Sequence, residues 1–325
     1  MKKTILLLVL ASALFSFSDK KPLEMKFDLK ALERSLVVIP TGTFDMDTNA
    51  RGIDRMAIGR IEPKPDKPIT VNQFYMSKYE VSNWQYLEFL SELRQTDTLQ
   101  YHKMLPDTLV WRQKFSYNEP YVEYYLRHPA YRDYPVVGVT HEQAAFFCDW
   151  LTQKYNKEPG SKFKNARFYL PTVEQWIFAA QGGLYKASFP WGDDFGMQDE
   201  KGKWRANFLA LAQGGIRRDA ENPESRAYGS YGKKYSTDAG SASSEGTGGS
   251  ADVTAPVMSY SPNGYGLYNM AGNVEEYLRA TGITKGGSWM DTGYYLQNMV
   301  SEAYDPLSQP TSSDRGFRIV MEIAK

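Results

Sequence analysis

The 325-residue sequence predicts a loop-rich globular fold in which short strands and a few helices are separated by glycine turns. Three observations point there. The chain carries 26 Gly and 17 Pro together with 23 Tyr, 16 Phe and 7 Trp, a composition that suits packed irregular structure better than a helical bundle. Strand-like apolar alternation comes only in short runs, such as Val71, Phe74 and Met76. Helical periodicity starts abruptly behind good N-caps, as in THEQAAFFCDWL and TVEQW.

Taken in order, residues 1–18 read as a secretory signal peptide, with Lys2 and Lys3 as the basic start and the apolar run Ile5–Phe17 as its core. Ser16 and Ser18 have the spacing a signal peptidase needs, and cleavage is expected before Asp19. Residues 19–34 are mixed and charged, an N-terminal arm or short helix. A single domain is expected over 35–325. LVVIPTGTFDMD predicts two short strands joined at Thr41-Gly42, and 48–68 predicts a loop. A strand-like stretch from Ile69 gives way to a helix after the cap Ser82, with Trp84, Tyr86, Leu87 and Leu90 as packing positions. The tyrosine-rich stretch 100–134 predicts irregular, well-packed structure. Thr140 with Gln143 and Thr172 with Gln175 form two capping boxes, and Gly182-Gly183 ends the second helix. Residues 213–252 are small and polar, a flexible insertion inside the domain. The remaining short strands and turns complete the sheet.

Acidic and basic residues balance at 38 each, so the charge offers no footprint for nucleic acid. Beyond the signal-like run no apolar stretch is long enough to span a bilayer. The only cysteine, Cys148, falls on the apolar face of a helical pattern with Ala144, Phe147 and Leu151, which predicts a small core residue. Patterns such as GxSxG, HExxH or a P-loop do not occur, and the adjacent acids Asp193 and Asp194 would point apart.

The blocks VVIPTGTFDMD, FYMSKYEVSNWQYLEFL, YPVVGVTHEQAAFFCDWL, ARFYLPTVEQW, PWGDDF, TAPV, NGYGLYNMAGNVEEY, KGGSWMD and GFRIV, in this order, resemble the formylglycine-generating enzyme and sulfatase-modifying factor family. The resemblance implies a compact α+β fold related to C-type lectins. It also implies a structural calcium site on Asn269 and Glu276 by side chain and on Gly272 and Val274 by backbone carbonyl. Calcium accepts such a mixed set of oxygens, and a glycine at 272 lets the backbone turn. The alternative is a structural turn in which Asn269 and Glu276 bond only to backbone; in either case Glu275, standing where the family usually has an aromatic residue, is expected to face solvent. For the family's second calcium site, Asn207 matches one ligand and Asp252 is a weaker candidate. The family's oxidases hold copper on two cysteines after the GGS motif. Here those positions are Asp291 and Leu296, which cannot supply the soft thiolate pair, so neither copper nor an oxidase mechanism is expected. Nor is iron, since His102, His128 and His141 lack the spacing of the iron-binding members.

The stretch LPDTLVW…YNEPYVEYYLRHPAYRDYPVVGV is similar, more narrowly, to the gliding-motility lipoproteins J and K of the Bacteroidota, which serve type IX secretion. That implies an exported, periplasmic and non-catalytic scaffold. Its partners would be other protein subunits of a cell-envelope complex, and any contact with the outer membrane would run through such a partner. Those lipoproteins carry a lipidated cysteine that this chain lacks. Trp111, Arg127 and Arg132 are residue types that anchor interfaces. The alternative function is a ligand- or peptide-binding module whose cleft would be lined by Trp289, Asp291, Tyr294, Tyr295 and Arg318.

Overall fold

The computed structural model describes residues 27–45, 60–61, 67–112, 118–193, 196–209 and 253–324. The segment 1–18, the first half of the arm, the insertion at 213–252 and Asp252 lie outside the described residues. The rest of the arm forms α1 (Leu29–Ser35), capped by Asp28, whose carboxylate accepts from the Ala31 amide at 2.9 Å.

The two strands expected after it are β1 (Leu36–Ile39) and β2 (Gly42–Phe44). They do not pair with each other. Within the stretch read as loop lies a two-residue strand, β3 (Arg60–Ile61). Next come β4 (Ile69–Val71) and β5 (Phe74–Ser77). β1 pairs antiparallel with β5, and β2 with β4. The capping boxes at Thr140 and Thr172 form as expected, and the expected cap at Ser82 is itself a third box. At Ser82, Gln85 Oε1 accepts from the Ser82 amide at 3.0 Å while the hydroxyl accepts from the Gln85 amide at 3.3 Å, starting α2 (Asn83–Thr96). Its buried face is Tyr86, Phe89, Leu90 and Leu93, with Trp84 and Leu87 half-buried at its edge.

The stretch 100–134 is more helical than expected. It contains the end of α3 (Thr98–Lys103), α4 (Glu119–Tyr124) and 3-10 turns at Thr108–Trp111 and Pro129–Tyr131. Each is only one or two turns long, so none builds enough apolar periodicity to stand out in the sequence. The segment winds around Trp111, which is 1 % exposed and packs 4.5 Å from Tyr125 and 6.3 Å from Trp289, ring centre to ring centre. Trp111 is therefore a core residue rather than an interface anchor.

Thr140 and Thr172 then cap α5 (His141–Lys157) and α6 (Val173–Ala180), which flank β6 (Ala166–Tyr169). Cys148 is buried on α5 beside Phe147 and Leu151. Burial pushes its thiol well above the ordinary range, which leaves it unreactive.

The C-terminal third supplies β7 (Glu275–Tyr277), β8 (Ile283–Lys285), β9 (Val300–Ala303), β10 (Arg315–Gly316) and β11 (Val320–Ile323). One sheet has the order β1-β5-β11-β6 and the other β10-β7-β8-β9-β3. β10 pairs with β7 in parallel, and the other neighbouring strands of these two sheets run antiparallel. Alternation on β5 divides the core: Tyr75 faces the cluster of α2 and α5, while Phe74 and Met76 face the one built on Trp176 of α6.

Trp111→Ala is expected to cost about 3–5 kcal/mol in urea unfolding, the range for a large aromatic truncated in a core. A cost below about 1 kcal/mol would return Trp111 to the surface.

Candidate functional site

The block GLYNMAGNVEEY runs from Gly266 to Tyr277 and ends in β7. Successive strand residues face opposite ways, so its two adjacent carboxylates part company. Each meets an arginine from the segment DRGFRIV. Glu275 accepts from Arg315 Nε at 2.8 Å, and the pair is 2 % and 6 % exposed by side chain. Glu275 thus does not face solvent. The Arg315 guanidinium lies 4.1 Å from the ring centre of Tyr304, which shields it further.

Glu276 is fully buried. Its oxygens accept from Arg318 Nε at 2.8 and 2.7 Å, from Arg318 Nη2 at 2.6 Å and from the Trp176 indole at 2.7 Å. Arg318 spends its remaining donors on the carbonyls of Ser77, Lys78 and Tyr268. Arg318 is therefore not a cleft residue: it is 0 % exposed.

A third carboxylate, Glu80, lies beside this pair and was not picked out from sequence. It is 0 % exposed. Asn273 donates to it at 2.8 Å and Asn269 at 3.2 Å. Burial raises its carboxyl to about 8; the nearby Arg318 opposes that shift and Glu276 adds to it. One guanidinium cannot serve two buried carboxylates equally, and the hydrogen bonds assign it to Glu276. Glu80 is then the neutral member at neutral pH. No sequence signal marked it, because Glu80 lies past a bend at 78–79 after β5, where strand alternation no longer applies.

The asparagines tie this centre to neighbouring loops. Asn273 accepts from the Ala255 amide at 2.7 Å and from Asn207 at 3.3 Å, and Asn207 donates to the Val253 carbonyl at 2.8 Å. Gly272 is required where the two loops touch. Its φ is +74°, and a Cβ there would come within 2.2 Å of the Asn207 carbonyl oxygen.

Calcium can be weighed on this geometry. Asn269 Oδ1 is buried without a hydrogen-bond partner, which suits an oxygen ligand. Glu276 does not suit the role as arranged, because Arg318 and Trp176 take up both of its oxygens and a guanidinium already stands beside it. A divalent cation would have to displace Arg318. With Glu276, the set's one carboxylate, already committed to Arg318 and Trp176, the four residues as they stand do not fit calcium.

The remaining cleft candidates are partly built into the body of the protein. Asp291 Oδ2 accepts from the Ser288 amide at 2.9 Å, closing a turn, and is 5 % exposed. Leu296 is buried with Phe189, Phe208 and Ala271. Trp289 stacks near Trp111 and donates to the Ser313 carbonyl at 3.2 Å. Tyr294 is half-buried and Tyr295 is 8 % exposed, their rings 5.3 Å apart. His141 opens α5 and its Nε2 lies 2.8 Å from the Leu278 carbonyl oxygen.

Two outcomes are expected. Glu80 is more protonated in the folded than in the unfolded chain, so its contribution to stability is complete below pH about 4.5 and is lost as pH rises through about 8. Glu80→Gln cannot ionise and should gain stability relative to the parent as pH rises from about 5 to about 8.5. Parallel melting-temperature profiles would show that Glu80 is not held neutral. Chelation should leave the melting temperature unchanged; a fall would mean that calcium, not Arg318, neutralises Glu276.

The geometry can be set beside known proteins. Residues 24–323 match the family model described as sulfatase-modifying factor enzyme 1-like domain. The chain is 26 % identical to the formylglycine-generating enzyme of Mus musculus over 303 residues, covering 86 % of this chain and 64 % of that protein. It therefore spans less than two thirds of that enzyme's length. It is 25 % identical over 296 residues to the inactive C-alpha-formylglycine-generating enzyme 2 of Mus musculus, covering 81 % and 76 % of the two chains. The solved structure of PvdO from Pseudomonas aeruginosa superimposes with a TM-score of 0.52 at 18 % identity, covering 89 % of this chain and 94 % of that one, which shows a shared fold. With the family model spanning nearly its whole length, this chain belongs to the sulfatase-modifying factor enzyme 1-like family.

Proposed function

We propose that this chain is a non-catalytic, exported member of its family that acts as an interaction subunit of a type IX secretion or gliding-motility complex in the cell envelope. The observation that carries the non-catalytic half is the state of the two positions matched to the oxidase cysteines. Asp291 is spent on closing the Ser288 turn, and Leu296 is packed in a hydrophobic cluster. Neither residue is a thiol, and Cys148 is buried on α5. The family relative named as inactive in Mus musculus supports the reading, since loss of activity has a precedent on this fold.

The envelope half rests on the signal-like N-terminus and on the likeness of 105–139 to the gliding lipoproteins. Partners would be protein subunits, with membrane contact made through them. With Trp111 in the core, the docking surface narrows to the outside of the 119–133 stretch. Arg127 is exposed there, and Arg132 lies exposed with its guanidinium 4.4 Å from the Trp84 ring centre. A guanidinium stacked on an indole is held in place before a partner arrives, which limits the entropy lost on binding.

The test is cross-linked purification of the tagged protein from its native envelope. Secretion or gliding components should accompany it in fixed ratio. The double variant Arg127→Ala, Arg132→Ala should weaken that association by about tenfold or more without lowering the melting temperature. Recovery of the protein alone would refute the envelope reading. Oxidation of a sulfatase-motif peptide cysteine by the copper-supplied protein would refute the non-catalytic one.

A further inference from the structure

A cavity of about 420 Å³ opens between α1, α2, α5 and the loop at 256–258, away from every residue matched to the oxidase centre. Its volume falls within the range of small-molecule sites. Phe27, Tyr79, Trp84 and Trp150 supply aromatic surface to its wall. The charged residues among its lining are Asp28, Glu88 and Asp133, all acidic, and no Lys, Arg or His of the described residues takes part. Two of these acids already have partners. Asp28 caps α1, and Asp133 lies 3.9 Å from Arg132.

Glu88 is different. It stands half-buried on the cavity side of α2, one turn from Trp84, whose side chain donates to it. Burial raises its carboxyl to about 7, with Asp28 adding to the shift. Cations already gather on the aromatic rings at the edge of this region: Arg132 sits over Trp84 and Lys154 lies 5.8 Å from the Phe27 ring centre.

We propose that this cavity is a binding site for a primary ammonium group on an unbranched apolar stem, with Glu88 as counter-ion and the rings of Trp84, Trp150 and Tyr79 around the stem. A protonated amine satisfies both halves of the wall. Its charge meets a carboxylate and ring faces, and its methylenes cover apolar surface. An anion would be repelled by the acids, and a wholly apolar ligand would bury the Glu88 carboxyl with the Trp84 indole beside it but no counter-charge. The inference does not depend on the envelope reading.

Calorimetric titration of the full chain with hexylammonium and with hexanol tests it, at a pH of about 8.5 where Glu88 is ionised. Hexylammonium should bind about tenfold tighter than hexanol, an order of magnitude for a partly desolvated cation beside aromatic rings and a carboxylate. Glu88→Gln should abolish that preference while hexanol affinity persists, which also shows that the variant is folded. Ala31→Arg, which sets a guanidinium into the cavity from α1, should block both ligands. Tighter binding of N-acetyl-lysine methylamide than of hexylammonium would assign the natural source to a peptide lysine, weaker binding to a free amine; both support the site. Equal affinities for amine and alcohol in the parent, or a preference that survives Glu88→Gln, would overturn it.

Discussion

Two arginines three residues apart, Arg315 and Arg318, neutralise the two carboxylates that end the GLYNMAGNVEEY block. Strand geometry accounts for the arrangement, because β7 lies inside its sheet between β10 and β8. Glu275 and Glu276 must leave opposite faces, so each face needs its own counter-charge. The C-terminal run supplies both within one short length. It also contributes β10 to one sheet and β11 to the other, so the same residues that neutralise the charges join the two sheets. Burying ions is costly, and these pairs are tolerated because every Arg318 donor and both Glu276 oxygens have partners.

The surroundings follow from that centre. With Arg318 committed to Glu276, the adjacent Glu80 is held neutral and bound by two asparagine amides. Asn273 extends the network to Ala255 and Asn207, and Gly272 allows those loops to touch. The block's polar residues are thereby used as cement. This is why a motif that looks chemical in sequence reads as architectural in space, and why a non-catalytic role sits comfortably on it. The two surfaces proposed for binding, the stacked Arg132 and the acidic aromatic cavity beneath α1, are built from other side chains.

Features written in local sequence were legible. The capping boxes at Thr140 and Thr172 and the cap at Ser82 each close within four residues, so side-chain type and spacing suffice; that Gln85 completes a third box at Ser82 is added by the structure. The burial of Cys148 followed from helical period alone. Features decided by distant partners were not. β3 pairs with β9 across most of the chain, and two residues carry no pattern of their own. Trp111 looked like an anchor because its type is common at interfaces, but its neighbours Tyr125 and Trp289 place it inside. Glu275 was read as solvent-facing for want of knowing that Arg315 lies opposite it in the β10–β7 register. Arg318, which the resemblance suggests as a cleft residue, has its carboxylate partner 42 residues earlier, beyond the reach of local pattern.

A double-mutant cycle on Glu276→Gln and Arg318→Met, measured by urea unfolding, tests the central claim most directly. Each single variant should lose roughly 3 kcal/mol or more, because it strands one buried charge or its donors. The double variant should lose clearly less than the sum, with a coupling of about 2–3 kcal/mol. Additive losses, with no coupling between the two positions, would mean that the ion pair does not hold this centre together.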